Sequence, residues 1–309
     1  MLEFRTLDVF TTRPFTGNPL AVVLGADGLT TAQMQTIARE FNLSETIFVM
    51  APRDAAHRAR VRIFFPTAEI PFAGHPTIGC ACLLAAMDAG AGDAGAGDAG
   101  AGDFERHLVL EEEAGLVPVT AWRRAGVMEA EFTAPVIPHA AEGAVAGDLL
   151  APALGLAPGE IGFGAHGPGV WQGGPRFLYV PVASRAALAR ARPIQPHWDA
   201  VMAAGGVDSA YLYTPGAGCD YQARMFSPTA GIPEDPATGS ATAILAAQLL
   251  VSGALGEGTT RLHLRQGVEM GRPSDLFLSV DAGGGVISAV RIRGAAVPLS
   301  EGRIAVPEA

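Results

Sequence analysis

The chain has 309 residues, 49% of them hydrophobic and 17% charged; that suits a folded protein of two domains at about 150 residues each and excludes disorder as the overall state. Its 21 basic residues stand against 31 acidic ones, a net charge of −10, so a nucleic-acid surface, which needs a basic surplus, is not expected. All 21 basic residues are arginine, which excludes the P-loop lysine, pyridoxal-phosphate chemistry and Schiff-base aldolases, since each needs a lysine amine.

The first half reads as strands alternating with helices. Residues 20–24 form a short apolar strand. An amphipathic helix follows over 30–41, with Met34, Ile37, Ala38 and Phe41 on one face and Thr30 and Gln33 spaced as a capping box. Strands are expected at 46–50 and 59–65, then a helix of small residues from about Thr77 to Met87. A tract follows in which Asp88, Asp93, Asp98 and Asp103 punctuate a DAGAG repeat. With no apolar face to bury, residues 88–103 are expected to form a flexible inserted loop. Its two G-x-G-x-x-G matches arise from the repeat and follow a helix, not a strand, so they are not a dinucleotide site. The next strand is expected at 107–111. In the second half, strands are expected at 176–182, 210–213, 221–226, 261–264, 276–280 and 285–292, with helices at 199–203 and 240–250.

An internal duplication organises the chain. Arg62-Ile-Phe-Phe-Pro-Thr-Ala-Glu-Ile-Pro71 matches Arg224-Met-Phe-Ser-Pro-Thr-Ala-Gly-Ile-Pro233 at seven of ten positions. After a two-residue deletion the register continues, placing His75 opposite Asp235, Pro76 opposite Pro236, Gly79 opposite Gly239 and Ala81 opposite Ala241. We therefore expect two copies of one α/β unit, each leading a strand through a proline-containing turn into a helix. The division is expected at residues 1–118 and 119–299.

Each repeated turn delivers the chain to a helix N-terminus, where free N–H groups and the helix dipole favour an anion. Two such starts facing one cleft would receive a small carboxylate substrate without an arginine clamp. The plainer reading is that Gly, Thr and Ser there only cap the helices. Glu45 precedes an apolar strand; partial burial would raise its pKa into a range useful for proton transfer, although the local pattern alone reads as an exposed strand-start glutamate. His57, His107 and His263 read as solvated, His166 as a loop residue, and Cys80 and Cys82 as core filler. No histidine pair has metal-ligand spacing and no G-x-S-x-G elbow is present, so neither a metal site nor a serine hydrolase is expected. Apolar runs fall short of the roughly 18 residues a membrane helix needs, and the N-terminus has no signal-peptide pattern, so the chain is expected to be cytoplasmic.

Several stretches carry a family resemblance. Asp8-Val-Phe10, Phe15-Thr-Gly-Asn-Pro-Leu-Ala-Val-Val23, Ser44-Glu-Thr-Ile-Phe-Val49 and Pro71-Phe-Ala-Gly-His-Pro-Thr-Ile-Gly79 resemble the PhzF family of phenazine-biosynthesis-like isomerases. So do Glu234-Asp-Pro-Ala-Thr-Gly-Ser-Ala241 and Gln266-Gly-Val-Glu-Met-Gly-Arg-Pro-Ser274. The resemblance implies an α/β (α+β), diaminopimelate-epimerase-like fold, with two pseudo-symmetric domains, each a curved mixed sheet around a central helix. A last strand near 300–309 would return to the first domain. It also implies a homodimer, no cofactor, a small carboxylate substrate, and proton transfer of the kind that isomerises trans-2,3-dihydro-3-hydroxyanthranilate. Carried onto this sequence, Glu45 is the general acid/base, with His75, Asp235 and Ser240 as polar partners. Gly74, Gly239 and Ala241 would offer N–H groups to the substrate carboxylate, and Asn18 is a further motif position.

Two other readings remain open at this point. One is an epimerase or racemase of a small amino or hydroxy acid using Glu45 with His75 or Asp235. The other is a non-catalytic homodimeric small-molecule-binding protein. Two-thiol racemisation is disfavoured because Cys80 and Cys82 both lie in one copy.

Overall fold

The strand–helix alternation is realised twice. In the computed structural model residues 1–90, 102–143, 145 and 147–308 are described, so most of the DAGAG tract lies outside them. The chain divides into unit 1, Met1–Pro135 with Arg293–Ala309, and unit 2, Val136–Ile292.

Unit 1 runs β1 (Leu2–Val9), β2 (Asn18–Val23), α1 (Thr31–Phe41), β3 (Glu45–Met50), β4 (Ala59–Phe64), β5 (Glu69–Ile70), α2 (Gly74–Ala89), β6 (Phe104–Glu112), β7 (Gly115–Arg124) and β8 (Val127–Thr133). Unit 2 runs β9 (His139–Ala140), α3 (Gly147–Leu154), β10 (Gly169–Gln172), β11 (Arg176–Pro181), α4 (Arg185–Arg190), α5 (His197–Gly205), β12 (Ala210–Pro215), β13 (Tyr221–Ser227), β14 (Ile232–Asp235), α6 (Gly239–Val251), β15 (Gly258–Gln266) and β16 (Ser274–Gly283). The final strand β17 (Val286–Ile304) starts in unit 2, and from Arg293 it belongs to unit 1, where it pairs antiparallel with β1. The division does not fall at 118/119. Those residues are neighbours inside β7, whose ladder partners β6 and β8 both lie in unit 1.

The pairing pattern carries the duplication. In unit 1, β1 and β2 are antiparallel, β2 and β3 parallel, β3 and β4 antiparallel, β4 and β6 parallel, and β6 and β7 antiparallel. In unit 2 the same sequence of senses runs through β10, β11, β12, β13, β15 and β16. The short strands β5 and β14 sit at equivalent places, each folding back on the strand before the long helix.

That long helix is the core of each unit. α2 and α6 are mostly Ala, Leu, Ile, Cys, Gly and Thr around their whole circumference, so neither presents a continuous polar face to water. Residues 74–85 of α2 and 239–249 of α6 are buried throughout. The backbone of α2 approaches the sheet at Gly79, where a Cβ would stand 2.5 Å from Leu20 Cδ2 and 2.7 Å from Val9 Cγ2. Cys80 and Cys82 are part of this packing, and burial pushes both thiols well above their ordinary pKa.

α1 follows its sequence signal closely. Thr30 accepts from the Gln33 N–H, the Gln33 amide returns to the Thr30 N–H, and Met34, Ile37 and Ala38 are buried against Phe48 and Phe64. Burying side chains of the size of Met34 and Ile37 contributes about 1.5–3 kcal/mol each. α2, by contrast, starts at Gly74, three residues before the expected start. Pro76 falls in the first turn, where its missing N–H costs nothing because first-turn amides have no intrahelical acceptor. His75 is therefore a helical residue. Among the described residues, no helix is long and apolar enough to cross a membrane.

Candidate active site

The candidate residues divide between the units. Asn18, Glu45, Gly74 and His75 lie in unit 1; Asp235, Gly239, Ser240 and Ala241 lie in unit 2.

Three of the unit 1 residues are brought together. Asn18 opens β2 and Glu45 opens β3, two parallel strands whose register pairs Leu20 with Glu45. His75, in the first turn of α2, lies over both: its Nδ1 is 3.2 Å from Glu45 Oε2 and 3.3 Å from Asn18 Nδ2. Glu45 is therefore not an exposed strand-start residue. It is 7% exposed, with Asn18 at 0% and His75 at 2%, because a helix thirty residues downstream covers it.

Burial pulls the His75 pKa down to about 3, against a hydrogen bond to the Pro19 backbone that works the other way. Burial thus favours the neutral imidazole beside Glu45. Proline has no N–H, so that bond goes to the Pro19 carbonyl. The Nε2 atom is buried and has no hydrogen-bond partner among the described residues, which assigns the proton to Nδ1 and the lone pair to Nε2. A side-chain amide can be turned over, so Asn18 accommodates this tautomer.

In unit 2, Asp235 ends β14 and is 2% exposed. Its Oδ2 accepts from Thr238 Oγ1 at 2.5 Å. Gln266, at the end of β15 and fully buried, donates through Nε2 to the Asp235 carbonyl at 2.8 Å and to Thr238 Oγ1 at 3.0 Å. Its Oε1 accepts from the Thr238 N–H at 3.2 Å. The proton direction is thus fixed: the amide donates to the hydroxyl, and the hydroxyl donates to the carboxylate. Ser240 is buried one residue into α6, and the Ala241 carbonyl accepts from Tyr179 Oη at 2.6 Å.

The helix starts at both turns lack side-chain caps. Neither Ala73 before α2 nor Thr238 before α6 caps its helix, whereas Thr30 caps α1 and Ser184 caps α4. Thr238 turns its hydroxyl to Asp235 instead. The capping reading of these glycines and hydroxyls is therefore not what the structure holds. By position, the amides of Gly74 and His75 in α2, and of Gly239, Ser240 and Ala241 in α6, precede the first intrahelical bonds, which run from Thr77 to Ala73 and from Thr242 to Thr238. Such amides suit a carboxylate.

Thr238, Gln266 and Gly267 were not read as site residues from the sequence. Gln266-Gly267 stands inside one of the family-like stretches, but nothing local shows that its amide reaches a turn about thirty residues earlier. Gly267 has φ +74°, and a Cβ there would lie 2.4 Å from the Arg272 carbonyl oxygen and 2.7 Å from that of Pro236. Gly267→Ala therefore combines left-handed strain with two backbone clashes. We expect it to cost about 2–4 kcal/mol in urea denaturation; a loss below about 1 kcal/mol would contradict this packing.

The other histidines have structural partners or none. His57 binds Glu111 at 2.8 Å and His263 binds Asp275 at 2.7 Å, so neither is simply solvated; the His107 side chain is 78% exposed, as expected. His166 stacks on Phe163 and contacts Tyr213 Oη at 2.9 Å. Among the described residues no three His, Cys, Asp or Glu side chains gather into a metal site.

Comparison with known proteins adds the family. Residues 7–302 match the PhzC-PhzF family of phenazine biosynthesis-like proteins. The chain is 41% identical to an uncharacterised isomerase of Mesorhizobium japonicum over 96% of both chains. It is 36% identical to the trans-2,3-dihydro-3-hydroxyanthranilate isomerase of Pseudomonas aeruginosa, over 98% of this chain and 99% of that one. Among solved structures, a PhzF-family phenazine biosynthesis protein of Bacillus anthracis superposes with a TM-score of 0.83 at 23% identity, covering 99% of each chain. A probable proline racemase of Agrobacterium radiobacter shares the fold at a TM-score of 0.62 and 15% identity, over 99% of this chain and 94% of that one. The mixed α/β fold is accordingly that of the diaminopimelate-epimerase-like proteins. With a match that spans nearly its whole length, the chain belongs to the PhzC-PhzF family and is a PhzF-family isomerase.

Proposed function

We propose that the protein isomerises a small cyclic carboxylate by moving one proton, with Glu45 as the group that carries it. The observation that carries this reading is the buried Glu45 carboxylate, 7% exposed and set 3.2 Å from Nδ1 of His75, whose charged form burial disfavours. In its carboxylate form Glu45 takes a proton from a carbon next to a double bond of the substrate. It returns the proton at the far end of the shifted double bond, and the enol that results tautomerises to a ketone. On trans-2,3-dihydro-3-hydroxyanthranilate, the substrate named for the 36% identical relative, these carbons are C3 and C1.

His75 accepts a hydrogen bond from the substrate through Nε2. Asp235 and Ser240 hold its polar groups, and the uncapped amides at Gly74, Gly239 and Ala241 receive its carboxylate. A carboxylate doing the proton transfer needs no cofactor, and backbone N–H groups at helix starts can meet the substrate carboxylate without an arginine. The enzyme acts as a homodimer in this reading.

The buried, hydrogen-bonded Asp235 carboxylate favours one alternative, epimerisation with Glu45 and Asp235 as two bases. Turnover of trans-2,3-dihydro-3-hydroxyanthranilate in D2O, followed by absorbance and by mass spectrometry, tests the proposal. Loss of the substrate chromophore with one deuterium at a new carbon supports isomerisation. Deuterium with inversion at the original carbon, on this or another small carboxylate, supports the epimerase. Binding without any exchange across a panel of such acids would leave a binding protein and sink both.

A further inference from the structure

We propose that Glu112 and Gln266 are a matched pair of positioning residues, each holding the helix start of its unit through a threonine hydroxyl. They occupy the last positions of β6 and β15, the strands that follow the long helix in each copy. No sequence match links them; only the pairing pattern makes them equivalent.

Their contacts correspond. In unit 2, Gln266 donates to Thr238 Oγ1, and Thr238 donates to Asp235. In unit 1, Thr77 Oγ1 lies 2.7 Å from the Ala73 carbonyl and 2.7 Å from Glu112 Oε1. A hydroxyl has one proton, and the carbonyl can only accept. Both contacts are hydrogen bonds only when Thr77 donates to Ala73 and a protonated Glu112 donates to Thr77. Glu112 then does with an acid proton what Gln266 does with an amide: a neutral donor at the strand end fixes the threonine beside the candidate residue, His75 or Asp235.

The surroundings keep that proton in place. Thr77 is fully buried, Glu112 is 8% exposed, and Glu112 Oε2 has no hydrogen-bond partner among the described residues. Burial pushes the Glu112 carboxyl up to about 8, against the Thr77 bond, which lowers it. The charged or titratable groups around it are Arg53, Asp54 and His57 before β4, Arg60 on β4, Glu111 and Glu113 on either side, and Cys80 on α2. Among the described residues no hydrogen bond or ion pair joins any of them to Glu112. Glu111 is occupied by the Arg53 and Asp54 amides and by His57.

The sign follows from the buried acid. As pH rises through about 8, Glu112 ionises, the Thr77 hydroxyl proton swings to the carboxylate, and the Ala73 carbonyl at the start of α2 keeps only its longer, 3.3 Å bond from the Thr77 N–H. Turnover should then fall on the alkaline side. Glu112→Gln should preserve the neutral donor, keep neutral-pH kcat/KM within about threefold, and move the alkaline limb up by at least one pH unit. Glu112→Leu should lower kcat tenfold or more with little change in KM. Gln266→Glu should introduce a new pH limb by placing a second carboxyl on the Asp235 turn.

The kinetic arm rests on the proposed function, so a second readout is needed that does not. Hydrogen exchange of the Thr77 and Thr242 amides, corrected for intrinsic rates, should show protection at Thr77 falling about tenfold between pH 7 and 9 in the unchanged protein but not in Glu112→Gln, with Thr242 unmoved in both. If no carboxylate is turned over by any variant while this exchange pattern holds, the functional reading fails and the positioning pair stands. An alkaline limb or exchange step that persists in Glu112→Gln overturns the pair, as does a Glu112→Leu protein indistinguishable from the unchanged one.

Discussion

Glu45→Gln should lower turnover by about 10³-fold or more and abolish solvent deuterium incorporation, while leaving the fold intact. Proton transfer by a positioned side chain contributes about 10²–10⁴-fold, and the amide has no basic oxygen with which to take a proton. The substitution is nearly isosteric at a site only 7% exposed, so it opens no cavity. The variant also keeps an amide oxygen for the contact with Nδ1 of His75, whose charged form burial disfavours. Its thermal midpoint should therefore stay within a few degrees of the unchanged protein. Glu45→Asp, which keeps a carboxylate one methylene short, should retain measurable exchange. If Glu45→Gln exchanges deuterium at more than about a tenth of the original rate, Glu45 does not carry the proton.

What the sequence revealed of this site was uneven, for physical reasons. α1 was legible almost to the residue because its signals are local: Thr30 and Gln33 cap each other, and the apolar residues recur at helical spacing. β1, β7 and β8 were missed. They are partly exposed strands with polar residues mixed into the pattern, and they gain their order from neighbours distant in sequence, as β1 does from β17. The same non-locality hides the state of Glu45. Read along the chain, it precedes an apolar strand and looks exposed; only the arrival of α2 buries it. The family-like motifs named Glu45, His75, Asp235 and Ser240, but they could not name Gln266 or Glu112 as partners of threonines 28 and 35 residues away. The repeat of Arg62–Pro71 in Arg224–Pro233 did announce the duplication, and the matching order of parallel and antiparallel pairings bears it out.

That repeat also gives a contrast between equivalent residues. Arg224→Met should destabilise the protein by about 3–5 kcal/mol, and Arg62→Met by only about 1–2. Both guanidiniums make a two-pronged pair with a carboxylate and lie over a phenylalanine: Arg62 with Glu69 and Phe64, Arg224 with Glu234 and Phe226. They differ in their further bonds. Arg62 adds one bond to the Thr31 hydroxyl, whereas Arg224 Nη1 also serves the carbonyls of Leu188, Ala189 and Ala191 at the end of α4. Removing Arg224 leaves those carbonyls and a largely buried Glu234 without their partner, and an uncompensated buried charge is the costly outcome. Glu234→Gln added to Arg224→Met should therefore recover about 1–2 kcal/mol, a coupling a double-mutant cycle in urea would read directly. Glu234 immediately precedes Asp235, so loss of this anchor should also lower turnover, although Arg224 is not placed to touch substrate. Equal costs at Arg62 and Arg224 would show that the α4 carbonyls contribute nothing, and the two copies would then be energetically as well as topologically alike.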